Sequence, residues 1–471
     1  MIKSIKKLFG AQDMTVGNPV AVLLKFSIPL LIGNFAQLLY GTVDSIIVGK
    51  YIGDAALAAL GASMPVQHMF FVFFMTIGNG VTVLVSQYFG AKDYKKLSYG
   101  IGSSFSMIAV ATLIIMLGAA PFSGTVLKLT KVPVEAFDMA KTYLFIILAG
   151  CLGTGYYNII SGVLRGLGEA LFPLLVLLCT TLLNVFLDIL FIAGFKMGVA
   201  GVAYATIICQ IFSAVACLIK VKRMKGIVEI SRETIKPKKE MTVQILRLGV
   251  PAGISQGIMS LSFVFVQSLI NSMGLLVTTS TTAVMRVDGF AVLPNMAFSM
   301  AASTFTGQNI GANNMDRVKR GGKIIVNMGF VTAVILVAAI MIFGKNMLTL
   351  FTDTQEAVEL GARMLRVMSV GYLGISFMQS YGGILRGAGD TMAVMWITIV
   401  TNVVLRVPIA YSLAALTKSA EYPAGHPDSV YLSMMISWVI GAILSFIYYR
   451  TGKWKNKAVV RRSEPPVQSE V

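Results

Sequence analysis

The sequence repeats itself once, almost end to end. VSQYFGAKDYKK at 85–96 returns as TGQNIGANNMDR at 306–317, and ISGVLRGLGEALFP at 160–173 returns as YGGILRGAGDTMAV at 381–394. Both pairs lie 221 residues apart, and LKFSIP at 24–29 against LRLGVP at 246–251 gives an offset of 222. A repeat this long, with almost no insertion between the copies, is a duplicated half-molecule. It is not an array of short units, whose periods run from roughly 20 to 50 residues. Whatever the first half folds into, the second half must also fold into.

Composition decides the solvent in which it folds. Of 471 residues 56% are hydrophobic and only 13% are charged, where a soluble chain carries about 25% charge. Apolar runs long enough to cross a bilayer recur along the chain, so a large water-soluble core is excluded. The first run starts near Val20 and passes Leu39 with no small-residue cleavage site before the next, so it reads as a true span and not a signal peptide. The expected spans are 19–43, 61–86, 98–120, 139–160, 171–193 and 198–219, then 246–271, 281–305, 322–343, 361–384, 391–415 and 430–449. Six spans per copy give both copies the same orientation in the membrane. The expected fold is an all-α membrane protein with twelve transmembrane helices in two parallel six-helix lobes related by pseudo-two-fold symmetry. The N-lobe would be 1–219, a cytoplasmic linker 220–245, the C-lobe 246–449 and a cytoplasmic tail 450–471.

The net charge of +18 is distributed unevenly. Most Lys and Arg lie at the N-terminus, at Lys92–Lys96, between Lys220 and Arg247, at Arg317–Lys323 and from Arg450 to Arg462, while the alternate connections around Lys50, Lys128–Lys131, Lys196, Lys345 and Lys418 are sparse. That alternation is the positive-inside pattern. It predicts a multi-pass protein of the cell membrane with both termini in the cytoplasm. Anionic lipid headgroups account for the charge, and no nucleic-acid-binding module is visible.

Charges inside spans are costly and must face a cavity or a partner. Asp44 falls near the outer end of span 1, Asp188 in span 5 and Asp288 in span 8. Asn184 precedes Asp188 by four residues, which puts amide and carboxylate on one helical face. Such a pair suits a hard cation such as Na⁺, a proton, or a structural polar lock, and the residues alone do not choose. Arg286 lies two residues from Asp288, off its helical face, and Arg406 in span 11 is expected to neutralise a neighbour. Arg165 and Arg386, in matched LRG turns, would cap helix carbonyls, and the charges at Asp93 and Asp316–Arg317 would be solvated. Pro29 and Pro251 occupy matched positions and can bend the first helix of each lobe. Cys151, Cys179, Cys209 and Cys217 read as buried small hydrophobes. His68 and His426 form no catalytic pattern, and no nucleophile elbow, zinc-protease helix or phosphate loop is present. An enzyme is not expected.

The chain resembles the multidrug and toxic compound extrusion (MATE) transporters. The resemblance rests on LLKFSIPLLIGNFAQLLYGTVDSIIVGKYIG at 23–53, VSQYFGAKD at 85–93, GVLRGLGE at 162–169, LNVFLDILF at 183–191, GVAGVAYATIICQ at 198–210 and FTGQNIGA at 305–312. It implies antiport, coupled to H⁺ or Na⁺, that exports amphiphilic, often cationic compounds by alternating access through a central cavity. It assigns cation coupling to Asp44, Asn184, Asp188 and Thr206, with Asn158 as a further candidate and Na⁺ as a possible occupant at Asp44, Asn184 and Asp188. Family members that couple through acidic residues of spans 7 and 10 differ from this chain, which has Gln256, Gln267 and Gln379 there. Asp288, Arg286, Gln256, Gln379 and Arg406 are the candidates for the substrate cavity. No cofactor is expected beyond the coupling ion. The partners would be small amphiphilic substrates and the bilayer, and the protein a monomer. A flippase of lipid-linked or other amphiphilic metabolites in the same fold is the alternative. It would want a strongly cationic cavity. A receptor would want a sizeable outer domain.

Overall fold

The computed structural model describes residues 10–129 and 132–460, so the basic N-terminal nine residues, Lys131 and the tail from 461 lie outside the described residues. Among those described every regular element is helical. Each of the twelve expected spans falls on a helix. We label these α1 (Pro19–Tyr51), α2 (Asp54–Gly90), α3 (Tyr94–Ile114, continued by Ile115–Ala119), α4 (Val134–Ala149 with Leu152–Gly166), α5 (Leu171–Ile189, continued by Leu190–Gly194) and α6 (Gly198–Lys222). The second copy gives α7 (Lys239–Ser272), α8 (Leu275–Gly311), α9 (Met315–Leu348), α10 (Gln355–Gly387), α11 (Thr391–Ile399, Val400–Leu405 and Arg406–Leu416) and α12 (Asp428–Thr451).

Nine of these helices are long and apolar enough to cross a bilayer, and the two pieces of α4, bent by 50°, make a tenth. The helices α8 and α10 fall short of that apolarity. The reason is their place in the fold, since they pack heavily on each other and fill their shared face with buried Ser, Thr, Gly and Asn. A helix shielded by protein on most sides needs small residues for close approach more than it needs lipid-facing bulk.

Helix ends obey local capping rules, and the duplication shows in them. Asn18 caps α1, its side chain accepting from the Val20 N–H at 2.9 Å, with Pro19 at the first helical position. Asp93 caps α3 and Asn314 caps α9, accepting from the N–H groups of Lys96 and Arg317 at 3.0 and 3.2 Å. Asp93 is therefore a cap and not merely a solvated turn residue. Each cap follows a left-handed residue, Lys92 at φ 57° and Asn313 at φ 56°. The expected bends at Pro29 and Pro251 do not interrupt α1 or α7, which run through them as continuous helices.

The flanking helices extend beyond the expected spans, so the connection between the copies is 223–238, shorter than the expected 220–245. It is not loose. It lies along α3, where Ser98 accepts from the Glu229 N–H (3.0 Å), Ser103 from the Lys238 N–H (3.0 Å), and Ser106 donates to the Ile235 carbonyl (2.6 Å).

In the first copy α1 packs on α5 and α2 on α4, and in the second α7 packs on α11 and α8 on α10. Across the copies α1 meets α8 and α2 meets α7 and α8. These contacts concentrate at the end of the bundle that carries the Lys/Arg-rich connections. There every residue of α2 from Gly80 to Gly90, and of α8 from Ala301 to Ile310, is buried. A cluster of Met14, Leu23, Phe26, Ala301, Ala302 and Phe305 joins the two copies at this end. Three of the four cysteines are buried as expected, but Cys179 is exposed, because it lies on an outer face of α5.

Candidate functional site

Two buried polar clusters stand out, one in each copy. In the first, α5 carries Asn184 and Asp188 one turn apart on the same face, at 1% and 0% exposure. Immediately beyond Asp188 the helix widens into a π-helical stretch, Leu190–Gly194, in which the Phe195 N–H reaches back five residues to the Leu190 carbonyl at 3.0 Å. Such widenings frequently mark functional positions in helices.

Asp44 of α1, half-buried, is a neighbour of Asp188, although no hydrogen bond of ordinary geometry joins the two carboxyl groups. Among the described residues no donor meets either carboxylate oxygen of Asp188 or Oδ1 of Asp44, and the amide nitrogen of Asn184 finds no acceptor. Around the pair, Tyr40 lies beside Thr206 of α6 and Tyr143 of α4 beside Gln67 of α2, both tyrosines being near the two carboxyl groups. Gln210, one turn beyond Thr206, has a buried Oε1 with no partner. Asp44, Asn184, Asp188 and Thr206 are thus brought together. Asn158 is not bonded into the group. Its amide donates to the Thr154 carbonyl of its own helix at 2.9 Å.

Two carboxyl groups side by side in a dry site require a proton or a cation between them. Carboxylates, a side-chain amide and hydroxyls form an all-oxygen donor set, suited to a hard cation or to proton exchange. Among the described residues there is no group of three or more His, Cys, Asp or Glu of the kind that holds a transition metal. Sequence reasoning missed Tyr40, Tyr143, Gln67 and Gln210. Tyr40 and Gln210 were accessible through spacing, each four residues from a named site residue, whereas Tyr143 and Gln67 carried no local signal.

The second copy is built differently. Asp288 of α8 has the Arg406 guanidinium of α11 and the Tyr372 hydroxyl of α10 as neighbours, although the tyrosine closes no hydrogen bond of ordinary geometry. Tyr431 of α12 donates to Thr281 Oγ1 at 2.7 Å beside them. Arg406 is 7% exposed and stands at the edge of another π-helical stretch, Val400–Leu405. Arg286 is exposed, and Arg406 is the positive charge near Asp288, although among the described residues the two close no ion pair within 4 Å. Gln256 and Gln379 are half-buried on α7 and α10, with no side-chain bond to this group among the described residues. Arg165 and Arg386 do not cap carbonyls. They donate to the hydroxyls of Ser161 and Ser299.

A family profile described as MatE matches residues 29–190 and 251–412, once in each copy of the repeat. A Bacillus subtilis (strain 168) protein named "Probable multidrug resistance protein YpnP" is 33% identical over 449 residues, covering 94% of this chain and 98% of that protein. "Multidrug export protein MepA" of Staphylococcus aureus (strain bovine RF122 / ET3-1) is 26% identical over 403 residues, 84% of this chain and 87% of the relative. Among solved structures, one described as the outward-facing conformation of a multidrug resistance MATE family transporter of the MOP superfamily superposes with a TM-score of 0.86. It has 25% sequence identity and covers 94% of this chain and 97% of that one.

Proposed function

The chain belongs to the MatE family, whose members are secondary membrane transporters and not enzymes, and from that premise we propose that it is an antiporter exporting amphiphilic organic cations in exchange for H⁺ or Na⁺. The observation that carries this reading is the pairing of half-buried Asp44 with fully buried Asp188, neighbours with no donor to either among the described residues. A site of two carboxyl groups changes its charge when a proton or Na⁺ enters. That change alters the hydrogen bonding and field of the lobe interior, and so its affinity for a cationic substrate. Moving a two-state balance from 1:99 to 99:1 takes roughly 5.5 kcal/mol of differential binding. One buried carboxylate gaining or losing its charge supplies a large share of such a difference.

By the positive-inside rule the basic end of the bundle faces the cytoplasm, with both termini there, in the cell membrane. The flippase reading wants a cationic cavity for a diphosphate. Of the two arginines available to it, Arg406 has the opposite charge of Asp288 nearby and Arg286 is exposed, so the antiporter is favoured. The test is efflux of a fluorescent organic cation from proteoliposomes, with pH and Na⁺ gradients imposed separately. Acceleration by one of the two, lost in Asp188→Asn, is expected. Efflux indifferent to both gradients would overturn the proposal.

A further inference from the structure

None of the site residues explains why the two copies are joined so tightly at their basic end. The joint is built twice, from residues 221 positions apart. Gln87, in α2 of the first copy, donates from Nε2 to the Gly387 carbonyl at the end of α10 (2.9 Å) and accepts at Oε1 from the Val459 N–H beyond α12 (2.7 Å). Gln308, its counterpart in α8, donates from Nε2 to the Gly166 carbonyl at the end of α4 (3.0 Å) and accepts at Oε1 from the Met14 N–H before α1 (2.8 Å). Each amide uses both ends, and all four bonds cross from one copy to the other. Both side chains are 0% exposed.

The backbone is shaped for this contact. A methyl group on Gly90 would overlap the carbonyl oxygen of Gln308, and one on Gly311 would overlap that of Gln87. The terminal segments enter through a second matched pair. Gly168 (φ 79°) lies against the Gln12 carbonyl, and Gly389 (φ 90°) against that of Lys457. Arg317 then fastens the first of these segments, donating to the carbonyls of Met14, Val16 and Gly17 at 3.0, 2.7 and 2.8 Å. A solvated turn residue was expected there, and a clamp is found.

Both glutamine amides are fully satisfied across the seam and dry. Separating the copies at this end therefore breaks four hydrogen bonds together and must wet two buried amides. A surface held by apolar contact alone would loosen gradually, whereas one held by bonds that break together favours two discrete states. We propose that Gln87 and Gln308 are gate residues, a paired amide latch that closes the basic end of the transporter, with segments 12–17 and 457–459 as its straps. The proposal rests on the transport reading above. It adds the residues that hold one side shut while the other is open.

The test reads geometry and not flux. Spin labels on Lys95→Cys and Lys319→Cys, both exposed at the basic end, are placed in the full chain with its four native cysteines replaced, and their separation is measured by pulsed electron resonance. Gln87→Met and Gln308→Met keep the side-chain volume and delete the bonds. Each is expected to raise the longer-distance population on the order of tenfold, and the double variant to raise it further. Gly311→Ala, a wedge at the same seam, should do likewise. Wild-type distances in the folded Gln87→Met and Gln308→Met proteins overturn the latch. If neither folds, Gly311→Ala decides it, and Gly90→Ala repeats the test from the other copy. Lengthened distances in a protein that moves no organic cation uphold the latch and sink the transport reading. Gradient-driven efflux with unchanged distances does the reverse.

Discussion

The two copies bury acid in opposite ways. The first places Asp44 against Asp188 with no cation among the neighbours. The second places one acid, Asp288, beside the guanidinium of Arg406. Each cluster borders a π-helical stretch in a matched helix, with Asp188 just before Leu190–Gly194 in α5 and Arg406 just after Val400–Leu405 in α11. The scaffold is thus common and the charge balance is not. A buried carboxyl pair is complete only with something exchangeable, a proton or a metal cation. An acid with a built-in arginine is complete without it, and removing either partner leaves the other stranded. On the antiport proposal, exchange falls to the first copy and internal bracing to the second.

The sharpest way to break this contrast is to neutralise each side. In Asp188→Asn and Asp44→Asn, gradient-driven efflux should fall to the level of protein-free liposomes with the protein still folded. In Asp288→Asn it should persist with its ion dependence, the cost appearing as a raised apparent KM. Loss of ion dependence in Asp288→Asn, with retention in Asp188→Asn, would reverse the assignment.

Stability sharpens it next. Arg406→Leu strands Asp288 and should cost roughly 3–5 kcal/mol, seen as a depressed melting temperature in detergent. Adding Asp288→Asn should restore most of that loss. Independent, additive effects would show that the two do not pair.

A smaller effect is expected from Tyr40→Phe, which removes the hydroxyl that stands beside Thr206 and the two carboxyl groups. At about 1 kcal/mol for one hydrogen bond, the ion concentration for half-maximal efflux should rise about fivefold. No change would place Tyr40 outside the ion site.

The smallest effect compares the matched turns at Glu169 and Asp390. Asp390 accepts from the Tyr448 hydroxyl at 2.6 Å and the Ala393 N–H at 3.4 Å. Glu169 accepts from the N–H groups of Leu171 and Phe172, both at 3.1 Å, but its Oε2 is buried without a partner. Desolvation raises its pKa, partly offset by those N–H groups and by Lys220 and Lys25. A carboxyl whose folded pKa is raised holds its proton more tightly folded than unfolded. Its contribution to stability is therefore fully present below the unfolded value of about 4.3 and is lost as pH rises through the folded one. Glu169→Gln, which keeps the acceptor and cannot ionise, should melt slightly higher than wild type at neutral pH, with the gap closing in acid. A gap that widens in acid would refute the desolvation account.

Much of this was legible before any coordinates. Duplication, helical class and most of the helix positions follow from repeat offset and apolar run length, because a chain in lipid must satisfy its backbone within each segment. Asn184 and Asp188 declared their common face by spacing. Apolarity alone would have undervalued α8 and α10, since a helix sheltered by other helices carries Ser and Gly where an exposed one carries Leu.

The sequence by itself determined that two equivalent halves cross a membrane and that charge is buried in each. Only the tertiary structure decided which charges meet. Asp44 finds Asp188 and not a cation, Asp288 finds Arg406 and not its sequence neighbour Arg286, and Gln87 and Gln308 each find the opposite copy. The physical reason is that periodicity fixes the face of a residue within its own helix, while the partner on that face comes from a helix far away in the chain, brought there by packing.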